Sequence, residues 1–137
     1  MRKLLLLLAM LVTWVSTYSQ NRIRPFEIHY RDQSTSWEFV NVGGDDVPYL
    51  YFYLNNQTDI RRNLVKIAVT NGWKDSFVIL GTGVFTREGS GVSWRAVDRE
   101  NVNCILELVI RKEVNPQYTQ LYIRYTNIEY VYSFMTN

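Results

Sequence analysis

The chain has 137 residues, of which 47% are hydrophobic, 15% aromatic and 20% charged. That composition excludes a disordered, collagen-like or low-complexity protein, and the length is that of one domain. Of the formal charge of +2, Arg2 and Lys3 stand at the extreme N-terminus, and residues 1–19 hold no Asp or Glu. Beyond them thirteen basic and thirteen acidic side chains balance. A neutral body lacks the concentrated positive face that nucleic-acid binding requires.

Residues 1–19 read as a secretory signal peptide. Arg2 and Lys3 form a positive start, residues 4–12 an unbroken apolar run, and Ser16, Thr17, Tyr18 and Ser19 a small polar end. Ser19 at −1 and Thr17 at −3 suit a signal peptidase, so cleavage is expected between Ser19 and Gln20. The apolar run is shorter than the roughly 20 residues that span hydrocarbon, so no stable membrane span is expected after cleavage. The expected product is a secreted or periplasmic domain over residues 20–137. The one cysteine, Cys104, is far from the cleavage region, which argues against a lipoprotein anchor. Alone it makes no internal disulfide. Its apolar neighbours at alternate positions mark it as a buried small hydrophobe rather than a reactive thiol.

From residue 24 the hydrophobic period is two. Residues 24–31 place Phe26, Ile28 and Tyr30 on one face and Glu27, His29 and Arg31 on the other. Residues 36–42 form a second strand with Trp37 and Phe39 on one face. Gly43-Gly44-Asp45-Asp46 breaks it. Residues 47–54 follow, with Tyr49, Tyr51 and Tyr53 facing one way and Leu50, Phe52 and Leu54 the other, and residues 55–59 make a polar loop. Residues 64–70 place Val65, Ile67 and Val69 together and run into Asn71-Gly72, a turn signal.

Residues 77–80 and 84–87 are strands separated by Gly81 and Gly83, which suit a bend or bulge. After the turn 88–91, residues 92–97 put Val92, Trp94 and Ala96 on one face. Asp98-Arg99-Glu100-Asn101 predicts a three-residue hairpin loop. Asp98 accepts from backbone N–H groups ahead of it and Asn101 takes the left-handed conformation. Cys104, Leu106, Leu108 and Ile110 then share a face, followed by a loop with Pro116. The closing strands bury Leu121, Ile123, Tyr125 and Ile128, Tyr130, Tyr132, Phe134. About nine or ten short strands and no helical periodicity predict a small all-β domain. Short turns favour antiparallel pairing, and both a sandwich and a barrel satisfy the pattern.

No catalytic residue set assembles from the sequence. The one histidine, His29, lies on the polar face of the first strand, where a solvated histidine is the simpler reading, and there is no G-x-S-x-G elbow. One His and one Cys do not furnish a zinc site. Asp45-Asp46 offers oxygen ligands but lacks EF-hand spacing. The glycines between 81 and 91 lack the G-K-[ST] ending and the following helix of a phosphate loop. Asp98 and Glu100 are two apart in a turn, which gives them little reason to act as a separated acid and base. Asn56-Gln57-Thr58 matches the N-glycosylation triplet. No metal or cofactor is expected.

Aromatic surface is what remains. Tyr49, Tyr51 and Tyr53 project from one face at intervals of about 6.5–7 Å. Such a row stacks on planar ligands, and it equally covers the outer face of a sheet. Trp73, just after a turn, is the tryptophan expected to be exposed. These four residues are the candidate ligand surface. The W-x-A-x-D run at 94–98, Cys104, and the closing L-Y-I-x-Y at 121–125 with Y-x-Y at 130–132 resemble small secreted proteins of Bacteroidota-type bacteria. That resemblance implies export and an all-β fold and transfers no catalytic residue. The lipocalin family also contains small secreted barrels, but its G-x-W is absent: Thr35-Ser36-Trp37 supplies the Trp without the Gly. The expected function is non-catalytic binding of a ligand or protein partner. A small hydrolase using carboxylates alone and a structural envelope component are the alternatives.

Overall fold

Alternation of apolar and polar residues gives each strand one face that must leave water, and a single sheet buries such a face by curling on itself. The computed structural model describes residues 23–32, 36–40, 48–70 and 75–136. The expected leader with its Ser19–Gln20 cleavage point, the Gly43–Asp46 break, and the Asn71-Gly72 turn with Trp73 lie outside the described residues. The strands are β1 (Glu27–Asp32), β2 (Glu38–Val40), β3 (Tyr49–Leu54), β4 (Leu64–Thr70), β5 (Asp75–Thr86), β6 (Gly91–Val97), β7 (Asn103–Arg111), β8 (Tyr118–Arg124) and β9 (Ile128–Met135). One helical turn, α1 (Ile60–Asn63), joins β3 to β4. The fold is all-β, as expected.

All pairings are antiparallel, in the spatial order β2-β1-β9-β8-β7-β6-β5-β4-β3. From β3 to β9 each strand neighbours the next in sequence, the outcome short turns favour. The sheet curls into a half-barrel. Its two ends meet just ahead of β1, where Ile23 and Leu50 exchange backbone hydrogen bonds of 3.1 and 2.9 Å. The short β2 lies along the free edge of β1.

Inside the curl, Leu50 and Phe52 of β3 and Ile67 and Val69 of β4 pack with Val92, Trp94 and Ala96 of β6. Cys104, Leu106, Leu108 and Ile110 of β7, Leu121 and Ile123 of β8, and Tyr132 and Phe134 of β9 complete this core. Each large side chain so buried contributes about 1.5–3 kcal/mol relative to exposure. The faces are those the two-residue period predicts, with local departures. Phe26 was expected inward beside Ile28. Instead it precedes β1, is exposed, and sets its ring edge-on to Tyr118 at 5.6 Å. Val65 was grouped with Ile67 and Val69, but the β3–β4 register shifts between Tyr53 and Leu54. A bulge there takes Val65 out of the ladder, so Val65 is exposed and Leu64 is buried opposite Leu54. The two strands expected at 77–80 and 84–87 are one strand, β5, whose register slips between Leu80 and Val84. Gly81 has φ +86°, and a Cβ on Gly83 would lie 2.5 Å from Trp94 Nε1.

The loop expected at 55–59 ends in α1. Asp59 caps it, accepting from the Arg61 N–H at 3.1 Å through its side chain. Ile60 is fully buried, and the Arg61 carbonyl accepts the Trp94 indole N–H at 3.0 Å. The turn packs on β4, β5 and β6 and closes that end of the curl. Among the described residues no helix is long and apolar enough to cross a membrane.

Candidate functional site

At the other end of the curl, the ends of β4 and β5 and the β6–β7 and β8–β9 connections line a cavity of about 460 Å³. That volume is within the range of small-molecule pockets. Its wall is apolar, made of Val69, Phe77 and Ile123 from the sheet interior with Val102 and Ile128 at the rim. Three tyrosines, Tyr125, Tyr130 and Tyr132, bring phenol groups to it, and Asp75, Asp98 and Glu100 bring carboxylates. The sequence places these groups simply. Even-numbered inward positions of β9 carry the Tyr130 and Tyr132 rings, and the acids stand where strands end and turns begin.

The β6–β7 turn has the geometry its residues predict. Asp98 N–H donates to the Val102 carbonyl at 3.0 Å, Asn101 N–H donates to the Asp98 carbonyl at 3.0 Å, and Asn101 has φ 65°. Asp98 Oδ1 accepts from the backbone N–H groups of Glu100 at 2.9 Å and Val102 at 2.8 Å. Its Oδ2 accepts from the Tyr125 hydroxyl at 2.7 Å, which ties this turn to the end of β8. Burial alone would push the Asp98 pKa up, but the Val102 N–H, the Tyr125 hydroxyl and the Glu100 N–H outweigh it and hold the carboxyl below its ordinary value. Asp75 accepts from the backbone N–H groups of Ser76 at 2.8 Å and Arg99 at 3.2 Å. Burial, followed by hydrogen bonding and charge from Asp98, pushes the Tyr125 phenol up, with Asp75 adding to it. Tyr130 and Tyr132 are likewise raised, by burial first and then by nearby groups that include Asp75. Among the described residues the lining is thus apolar in its wall, with acidic side chains at its mouth.

A second polar assembly lies on the outer face, where the sequence reading singled out nothing. Glu107 of β7 points away from the main core yet is only 3% exposed. Its carboxylate accepts from Thr86 Oγ1 at 2.5 Å, Arg124 Nη1 at 2.8 Å and Arg87 Nε at 3.2 Å. Both guanidiniums also sit over the Tyr122 ring, at 5.3 Å for Arg87 and 4.5 Å for Arg124. Burial raises the Glu107 pKa, but Thr86 and the two arginines reverse it, so the group is held below its ordinary value. Beside it Val109, Tyr122 and Val131 form a small apolar cluster of their own. The ion pairs link residues 17 and 20 positions apart, a spacing with no periodic signature in the chain.

Tyr49, Tyr51 and Tyr53 do share a face, on the outside of β3, opposite Thr70, Ala68 and Lys66. Tyr49 and Tyr51 are half-buried. Tyr53 is exposed, with the Lys66 ammonium 5.4 Å from its ring centroid. The row is therefore on the opposite side of the sheet from the cavity, and Trp73, its expected companion, lies outside the described residues. His29 faces outward across from Val131. Cys104 is buried, and burial, with lesser effects of Asp98 and Asp75, pushes its thiol up to about 12. Among the described residues no group of three or more His, Cys, Asp and Glu side chains is placed to hold a metal ion. The cavity was missed because it belongs to no one strand. Its signal in the sequence is only that Tyr130 and Tyr132 fall at core positions while carrying polar tips.

Compared with known proteins, the chain matches no family model, no curated protein and no solved structure.

Proposed function

We propose that this protein is an exported, non-catalytic β-domain that holds a small organic ligand in the end cavity of its curled sheet. The observation that carries this reading is the cavity itself: an apolar wall with a few polar groups at one end is how small-molecule sites are built. The alternative of a carboxylate-dependent hydrolase is less well supported. A general acid at neutral pH needs a raised carboxyl pKa, whereas Asp98, a half-buried acid of the rim, is lowered. Export rests on the leader-like residues 1–19. Mass spectrometry of protein recovered outside the cytoplasm should find a mature N-terminus at Gln20, and one at Met1 refutes export by cleavage.

The binding reading is tested with N-phenyl-1-naphthylamine, a neutral fluorescent probe. Its emission should rise and saturate at one molecule per chain. Val102→Trp fills the rim at a side chain that is 46% exposed, so the fold should survive. It should weaken the probe at least tenfold with an unchanged melting temperature. Emission that never saturates, or that Val102→Trp leaves untouched, overturns the proposal.

A further inference from the structure

We infer that the ligand is a cationic amphiphile, a protonated amine carried on an apolar body, with the body against the Phe77–Ile123 wall and the ammonium at the mouth. This rests on the binding reading above and adds the chemical class.

Among the described residues that line the cavity, every charged side chain is acidic. Asp75, Asp98 and Glu100 line the cavity, and among the described residues that line it there is no Lys or Arg. Among the described residues none of the three acids is in a salt bridge. This contrasts with the outer face, where Glu107 takes two arginines. Among the described residues, Asp75 and Asp98 accept from backbone N–H groups and the Tyr125 hydroxyl, donors that fix the carboxylates in place without neutralising them. A negative mouth over an apolar wall raises the local concentration of cations and repels anions.

A second observation points to a bound polar group. Tyr132 is 2% exposed and lines the cavity, yet its hydroxyl makes no hydrogen bond among the described residues. The hydroxyl is not a fully enclosed polar atom, so it stands open to a partner that enters the cavity. A phenol accepts from an ammonium as readily as it donates to a neutral head. A metal ion is the wrong cation here, because the three acids do not gather into a ligating group. An ammonium needs only one or two acceptors at hydrogen-bond distance, and the Tyr rings add cation–π attraction.

The test is calorimetric titration of the full mature chain at pH 7 with 4-phenylbutylamine, 4-phenylbutanol and 4-phenylbutanoate, which share a body and differ in the head. The amine should bind at least tenfold more tightly than the alcohol, and the carboxylate most weakly. Raising NaCl from about 50 to 500 mM should weaken the amine and leave the alcohol unchanged, since only the charged head is screened. Glu100→Gln and Asp75→Asn, checked for folding by circular dichroism, should each draw the amine affinity toward that of the alcohol. Equal binding of amine and alcohol, or tighter carboxylate binding, overturns the inference about class while the cavity reading survives. No binding by any of the three, with no saturable signal from N-phenyl-1-naphthylamine, overturns both.

Discussion

Glu107→Gln removes one charge and almost no volume from the outer face of β7. The carboxylate is 4% exposed at its side chain and takes four hydrogen bonds, three of them from the N–H groups of two arginines. Hydrogen bonds to charged groups are worth about 1.5–3 kcal/mol each, and removing one partner of a buried ion pair costs about 3–5 kcal/mol. The Gln amide keeps one acceptor oxygen but turns N–H groups toward a guanidinium. Arg87 and Arg124 are 36% and 31% exposed, so water relieves part of the loss. The expected cost is therefore about 3 kcal/mol, or roughly 12 °C in melting temperature for a domain of this size. Thermal and urea unfolding followed by circular dichroism at pH 7 measure it. The pH dependence has a required sign. Because Glu107 is held below its ordinary value of 4.5, its contribution is complete above that pH and is lost as the pH falls through the folded value. The gap between parent and variant should close in acid. A cost under about 1 kcal/mol at pH 7, or a gap that widens as the pH falls, refutes the reasoning. Arg124→Met should also cost less in the Glu107→Gln background than in the parent, since both remove the same 2.8 Å contact.

Gly83→Ala should destabilise by about 2–4 kcal/mol, because the new methyl meets the Trp94 indole and Val92 and strains the indole's bond to the Arg61 carbonyl. Melting temperature and the near-ultraviolet dichroism of Trp94 report it, and an unchanged spectrum would contradict the packing described. Asn101→Gly should keep or raise the melting temperature, while Asn101→Ala should lower stability by about 1 kcal/mol, as φ 65° demands. Cys104 should react with iodoacetamide at pH 8 far more slowly in the native than in the urea-unfolded chain, since its thiol is buried and raised to about 12; equal rates would mean that the β7 interior is open. Tyr132→Phe should leave the melting temperature within a degree or two, because no hydrogen bond of the described residues is lost, yet weaken 4-phenylbutylamine several-fold.

The two-residue rhythm alone determined that the chain is all-β and which face of β6, β7, β8 and β9 goes inward, because side-chain direction in a strand is a local property of the backbone. It also determined the Asp98–Asn101 turn, whose hydrogen bonds lie within five consecutive residues. Sequence periodicity failed where an irregularity shifts the phase: at Val65 a bulge beside Leu54 decides which neighbour is buried, and Phe26 escapes the core because the strand begins one residue later. Only the tertiary structure decided that the sheet curls, that Glu107 meets Arg87 and Arg124, and that Asp75, Asp98, Tyr125 and Tyr132 surround one cavity. These depend on strand order and register over tens of residues. A carboxylate in the sequence has a charge, but its partner and its solvent are set by whichever strands the closing of the curl brings alongside it.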